Sequence, residues 1–202
     1  LLDFSGWRIL NTRFKVLCTN GTNSGTVLAT LSIVKEHDLK PEDILSVRIK
    51  AIPRQAQHTV TPAKKYPINA ETADHSTFYA NAFAIKERHF GPESIQPKYF
   101  TDPVILDLIE KITVEADPSL SGYQAISEIT TKNGLKYTKR IDTPHGLGND
   151  PLTDKELEEK FRDMAIKYMD EKQIERILDT VWNIEKLDDI GELAKLMVFP
   201  SK

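Results

Sequence analysis

Val27, Leu28, Leu31 and Val34 recur at helical spacing and predict a helix over residues 25–38, with Thr22, Asn23 or Ser24 as its cap. Lys40-Pro41-Glu42-Asp43 reads as a turn. Residues 44–51 then alternate Ile44, Ser46, Arg48 and Lys50 against Leu45, Val47, Ile49 and Ala51, the pattern of a half-buried strand. Residues 52–67 contain three prolines and are predicted to be a loop. A mostly apolar helix is expected after His75, running to about Arg88 and broken by Gly91-Pro92. Asp102-Pro103 opens another helix, to Lys111, because proline is tolerated at the first helical position. A short strand follows over residues 112–115. Residues 124–131 and 135–141 flank Asn133-Gly134 and predict a hairpin with a two-residue turn.

Two glycines and two prolines within residues 144–151 mark a linker, and helical patterns follow it. Thr153 and Glu156 form a capping-box pattern ahead of an apolar face of Leu157, Phe161, Met164, Ala165 and Tyr168. Asp170 and Gln173 suggest a second start, with Ile174, Ile177, Leu178 and Val181 inward, and Ile190, Leu193, Leu196 and Met197 suggest a third. The expected class is α+β. A small, mostly antiparallel sheet with packed helices fills residues 1–146, and a C-terminal helical segment fills residues 147–202. That segment is amphipathic and would bury more against a further domain. The first residue is Leu1 rather than Met, so the expectation is a fragment of a larger two-domain protein.

Composition narrows the function classes. With 202 residues, 40% hydrophobic and 28% charged, the chain is ordinary for a globular protein. A net charge of −3 leaves no global electrostatic case for nucleic-acid binding. No apolar run approaches the roughly 20 residues of a membrane-spanning helix. Cys18 is the only cysteine, which fits a reducing compartment, and a cytoplasmic location is expected. No metal-ligand spacing, phosphate loop or nucleophile elbow occurs, so no metal and no cofactor is expected.

Chemistry concentrates in residues 64–79, KKYPINAETADHSTFY, where lysines, carboxylates, a histidine and hydroxyls precede the buried helix. Free N–H groups and the helix dipole make such a junction suited to anions. The alternative is an ordinary cap, in which Thr72, Asp74 or Ser76 satisfies those N–H groups. His75 is the natural proton carrier. Asp74 is read as a cap or an orienter of another group, because adjacent residues on a helix do not face each other. His37, His58, His89 and His145 are read as solvent-exposed. No Asp or Glu lies between Asp43 and Glu71, whereas Arg48, Lys50, Arg54, Lys64 and Lys65 do; this is either a solvated basic loop or an anion-steering one.

Four blocks together resemble the MmgE/PrpD family. They are Ile9-Leu10-Asn11-Thr12 with Phe14-Lys15, then Leu39-Lys40-Pro41-Glu42-Asp43-Ile44, then Glu71-Thr72-Ala73-Asp74-His75-Ser76, and finally Asn149-Asp150-Pro151-Leu152 with Glu156-Leu157 and Lys160-Phe161. The resemblance implies cofactor-independent proton transfer next to a carboxylate. It also implies an α+β lid that closes on an N-terminal helical domain outside this chain, in a homodimer. It implies a small di- or tricarboxylate as substrate, with dehydration of 2-methylcitrate, in propionate metabolism, as the leading activity. Iminodisuccinate-type epimerisation and cis-aconitate-type decarboxylation are the alternatives within the family, and a non-catalytic binding or dimerisation module is the alternative outside it. Position by position it implies catalytic roles for His75 and Lys15 and a substrate-lining role for Asp74 and Ser76, to which Thr72 and Lys65 are added from the same cluster. Residues 16–24 lack the histidine and proline of relatives, which points away from decarboxylation.

Overall fold

Strand β1 (Ile44–Ala51) is central to a four-stranded mixed sheet of order β2-β1-β3-β4. It pairs in parallel with β2 (Ile112–Ala116) and antiparallel with β3 (Ala125–Thr131), which pairs antiparallel with β4 (Lys136–Ile141). The computed structural model describes residues 12–59, 61–147 and 149–198; Ile9, Leu10 and Asn11 of the first resembling block, and Gly148 of the linker, lie outside them. Burial along β1 follows the expected alternation from Ser46 onward, with Val47, Ile49 and Ala51 inward. Between Ile44 and Ser46 the register against β3 shifts, so that Ile44 is fully buried and Leu45 is 54% exposed.

The hairpin is present, but its turn differs from the expected two-residue form. Gly134 N donates to Thr131 O and Thr131 N to Leu135 O, both at 2.9 Å, which closes a loop of residues 132–134. Only Gly134 takes a positive φ, +85°, so Asn133 is spared the left-handed conformation that a type I′ turn would demand of it.

Helix α1 (Gly21–Glu36) begins four residues before the predicted start, because Asn20 is its cap and accepts from Thr22 N at 3.0 Å. It packs on β3, β4 and helix α5 (Thr77–Glu87). Gly25 is the point of closest approach: a Cβ there would lie 2.3 Å from the Tyr123 carbonyl oxygen. Helix α5 is buried from Thr77 through Ile85, wedged between α1 and α6 (Pro103–Lys111). Its Tyr79 and Phe83 carry the largest fully buried side chains of the core.

Residues 52–67 correct the sequence expectation. They form two short helices, α2 (Pro53–Thr59) and α3 (Pro62–Lys65), in place of a loop. Pro53 and Pro62 each occupy a first helical position, where the missing N–H costs nothing and the fixed φ favours the helix. Helix α4 (Ala70–Asp74) leads into α5.

The chain divides into two compact units after Pro151, whereas the sequence placed the boundary after Gly146. Within the first unit the linker is held by Phe14 N donating to Gly146 O at 3.0 Å and by a bridge between Leu147 and Asp150. The second unit holds α7 (Asp154–Ala165), α8 (Glu171–Trp182) and α9 (Gly191–Leu196). Its capping box at Thr153 and Glu156 and its cap at Asp170 form as predicted. Arg162 ties α7 to Glu171 and Glu175 of α8, and Gln173 donates to the Leu196 carbonyl of α9 at 2.6 Å. Ile174 and Ile177 are buried, but Met164, Tyr168 and Val181 are exposed, because three short helices enclose little volume.

Candidate active site

The residues of the Glu71–Ser76 motif build a helix-stop-helix joint. Helix α4 starts with a capping box: Asn69 Oδ1 accepts from Thr72 N at 2.8 Å, and Thr72 Oγ1 accepts from Asn69 N at 3.1 Å. Helix α4 ends at Asp74, with His75 as its C-cap. Ser76 is extended and fully buried, and its Oγ accepts from Tyr79 N at 3.0 Å to cap α5. The hydroxyls of Thr72 and Ser76 therefore both serve backbone capping, one at each end of the joint.

His75 is held from one side. Its Nδ1 lies 3.0 Å from the Glu71 carbonyl oxygen and touches Asp74 Oδ1, a buried carboxylate oxygen without a hydrogen-bond partner among the described residues. A carbonyl can only accept, so Nδ1 carries the hydrogen and Nε2 is the nitrogen left to take or give a proton. Asp74 thus does partner His75, contrary to the sequence reading. The rule that neighbours diverge holds along a continuous helix, and the helix stops between these two residues. Burial pushes the Asp74 carboxyl above its ordinary value, offset in part by the positive fields of His75 and Lys15.

Three donors fix the backbone of this joint by converging on the Asp74 carbonyl oxygen: Thr19 Oγ1 at 2.7 Å, Asn20 N at 3.1 Å and Asn23 Nδ2 at 3.2 Å. Lys15 belongs to the same corner, donating from Nζ to Thr19 O at 2.9 Å. Asn23 is buried, and its Oδ1 accepts from Thr77 Oγ1 at 2.7 Å and Gln55 Nε2 at 2.9 Å. It joins the start of α1, helix α2 and the start of α5.

A cleft of about 300 Å³ opens beside this joint. One side is formed by Asn20, Thr22 and Asn23, and another by Arg54, Gln55 and His58 of α2, with Lys64 and His75 completing the lining. Among the described residues no carboxylate lines it. The basic segment is thereby sorted by the fold. Arg48 and Lys50 lie on the polar face of the sheet, paired with Glu115 and Glu128. Lys65 pairs with Glu110 at 3.0 Å, while Lys64, one residue earlier, lines the cleft. Sequence reasoning named Arg54 in an anion-steering segment and Asn23 as a possible cap, but it missed the bridging role of Asn23 and the places of Gln55 and His58 in the cleft. The signals available were the two prolines at helix starts and the four-residue spacing of Arg54 and His58. Of the remaining histidines, His89 pairs with Glu93, His145 with Asp150, and His37 stacks on Tyr137. Among the described residues no group of three or more His, Cys, Asp or Glu could hold a metal ion, and no helix is long and apolar enough to cross a membrane.

Residues 24–185 match the MmgE/PrpD C-terminal domain. The chain is 28% identical over 173 residues to the cis-aconitate decarboxylase of Homo sapiens and 27% identical to that of Mus musculus, each alignment covering 84% of this chain. It spans about a third (35%) of the length of these relatives.

Proposed function

The chain belongs to the MmgE/PrpD family, and from that premise we propose that it supplies one wall of the active site of a lyase that moves a proton at a carbon next to a carboxylate of a small tricarboxylate. The observation that carries this reading is His75, held on Nδ1 by Glu71 O and Asp74 and lining a cleft that contains Arg54, Lys64 and, among the described residues, no carboxylate. Cationic side chains hold substrate carboxylates and stabilise the charge that grows on one of them when the neighbouring C–H bond ionises. His75 Nε2 is the general acid or base at that carbon. Asp74 is a positioning residue, since it touches the imidazole and its carboxylate stabilises the imidazolium form. Lys15 contributes positive charge at the same corner.

Two reactions use this machinery. In dehydration, His75 takes the proton from the carbon beside the carboxylate and passes it to the β-hydroxyl, which leaves as water while the C–H electrons form the double bond. In decarboxylation, the C–C bond electrons remain on carbon as CO2 departs, and His75 delivers a proton there. The names of the relatives favour decarboxylation of cis-aconitate, whereas residues 16–24, without a histidine, favour dehydration of 2-methylcitrate. The deciding experiment assays the full-length protein on both compounds, following product by NMR and CO2 release, beside His75→Ala. Turnover of either that falls by about 10²-fold or more in the variant supports the reading. Absence of turnover on both, or a His75→Ala rate within about threefold of wild type, rules it out.

A further inference from the structure

We propose that Arg54, His58 and Lys64 form a second anion-binding arm, which holds the substrate carboxylate remote from the carbon served by His75 and so selects a tricarboxylate over a dicarboxylate. The proposal rests on the lyase reading above for its substrate class, but its geometry stands apart from the His75 joint. Arg54 and His58 are four residues apart on α2 and therefore share one face of that helix. Both line the cleft, as does Lys64 at the end of α3.

Helix α2 is set in place by Gln55, which is 5% exposed and donates from Nε2 to Asn23 Oδ1 at 2.9 Å and to Thr77 Oγ1 at 3.3 Å. The amide that orients the arm thus bonds to the same Asn23 that holds the Asp74 carbonyl. The arm and the proton carrier are registered against each other through one side chain, as a substrate with two separated carboxylates requires.

Pairing sets Arg54 and Lys64 apart from the neighbouring cations. Lys65 has Glu110, Lys86 has Glu87 and Asp102, Arg88 has Asp38, and Lys50 has Glu128. Among the described residues no carboxylate forms an ion pair with Arg54, His58 or Lys64. Positive groups gathered in a concave site without a protein counterion repel one another and attract an anion. A guanidinium adds two parallel donors that fit a carboxylate.

The test measures binding by calorimetry on the full-length protein, with cis-aconitate and with citraconate, which keeps the cis-alkene dicarboxylate but has a methyl in place of the carboxymethyl group. Arg54→Gln is expected to weaken cis-aconitate binding by about tenfold or more and to leave citraconate binding within about twofold. His58→Gln is expected to act in the same direction with a smaller loss. Unchanged cis-aconitate binding overturns the proposal, and so does an equal loss for both ligands, which would mean that Arg54 meets a shared carboxylate or supports the fold. Arg54→Lys keeps the charge but not the paired donors; an intermediate loss for cis-aconitate alone supports the arm, even where Arg54→Gln folds poorly. Failure of wild-type protein to bind cis-aconitate sinks the arm. Binding of cis-aconitate with turnover of neither cis-aconitate nor 2-methylcitrate sinks the lyase reading and leaves the arm standing.

Discussion

Thr77 donates its hydroxyl hydrogen to Asn23 Oδ1 across 2.7 Å, joining residues 54 apart in sequence. Both are buried, and the same oxygen receives Gln55 while the same amide's nitrogen reaches the Asp74 carbonyl. A side-chain amide can satisfy a donor and an acceptor at once, and here it ties the start of α1 to the joint that carries His75.

Replacing Asn23 by Ala removes the acceptor that Thr77 Oγ1 and Gln55 Nε2 share and one of three donors to Asp74 O. Each hydrogen bond lost costs about 0.5–1.5 kcal/mol. Equilibrium denaturation of Asn23→Ala should show a loss in that range or above. In the full-length protein kcat should fall more than KM rises, because the proton carrier loses its fixed position.

Asp74→Asn should stabilise the fold at neutral pH and impair turnover. Burial raises the folded carboxyl above the unfolded value of about 3.9. The group therefore favours folding below about pH 4, and that contribution is lost as pH rises through the folded value. Asparagine removes the cost of the buried charge at pH 7 but confers no such gain near pH 3. Thermal melts at the two pH values read the difference, and kcat should drop by at least about tenfold as the imidazolium loses its carboxylate.

Asp102 caps α6 by accepting from Val104 N and Ile105 N at 3.0 and 3.1 Å, and it pairs with Lys86 at 2.9 Å. Burial works against its ionisation, but the Lys86 ammonium and these two N–H groups outweigh it and hold the carboxyl below its usual range. Its contribution is present above about pH 4 and lost as pH falls through the folded value. Asp102→Asn keeps a capping oxygen and loses the ion pair, so it should cost about 0.5–1 kcal/mol at pH 7 and almost nothing near pH 2.

Gly25→Ala tests the close approach of α1 to the sheet. In an exposed helix this change stabilises by about 0.5–1 kcal/mol. Here the new methyl would meet Tyr123 O at 2.3 Å and Ala125 Cβ at 3.2 Å, so the backbone has to shift. A loss of about 1–3 kcal/mol is expected in urea denaturation. A gain would show that α1 can move off the start of β3 at little cost.

Local chemistry was legible where a few neighbouring residues decide the outcome. Asp102-Pro103, the Thr153 and Glu156 box, the alternation of β1 and the Glu71–Ser76 motif each carry their meaning within about ten residues. The prolines of residues 52–67 were misread, because proline starts a helix as readily as it ends one and only the residues after it tell which. Val181 was read as inward but is exposed, because periodicity reports an apolar stripe and not whether anything covers it.

The sequence by itself determined most of the α+β elements and the capped joint, and it singled out His75 as the side chain proposed to carry the proton, since propensity, capping and side-chain chemistry are properties of short segments. Tertiary structure alone decided that Arg54, His58 and Lys64 share a cleft with His75 while Lys65 turns away to Glu110. It also decided that Asn23 and Gln55 hold them in register. The hydrogen bonds that do so join residues 32 to 54 apart. Such contacts depend on the path of the chain in space, which no local pattern records.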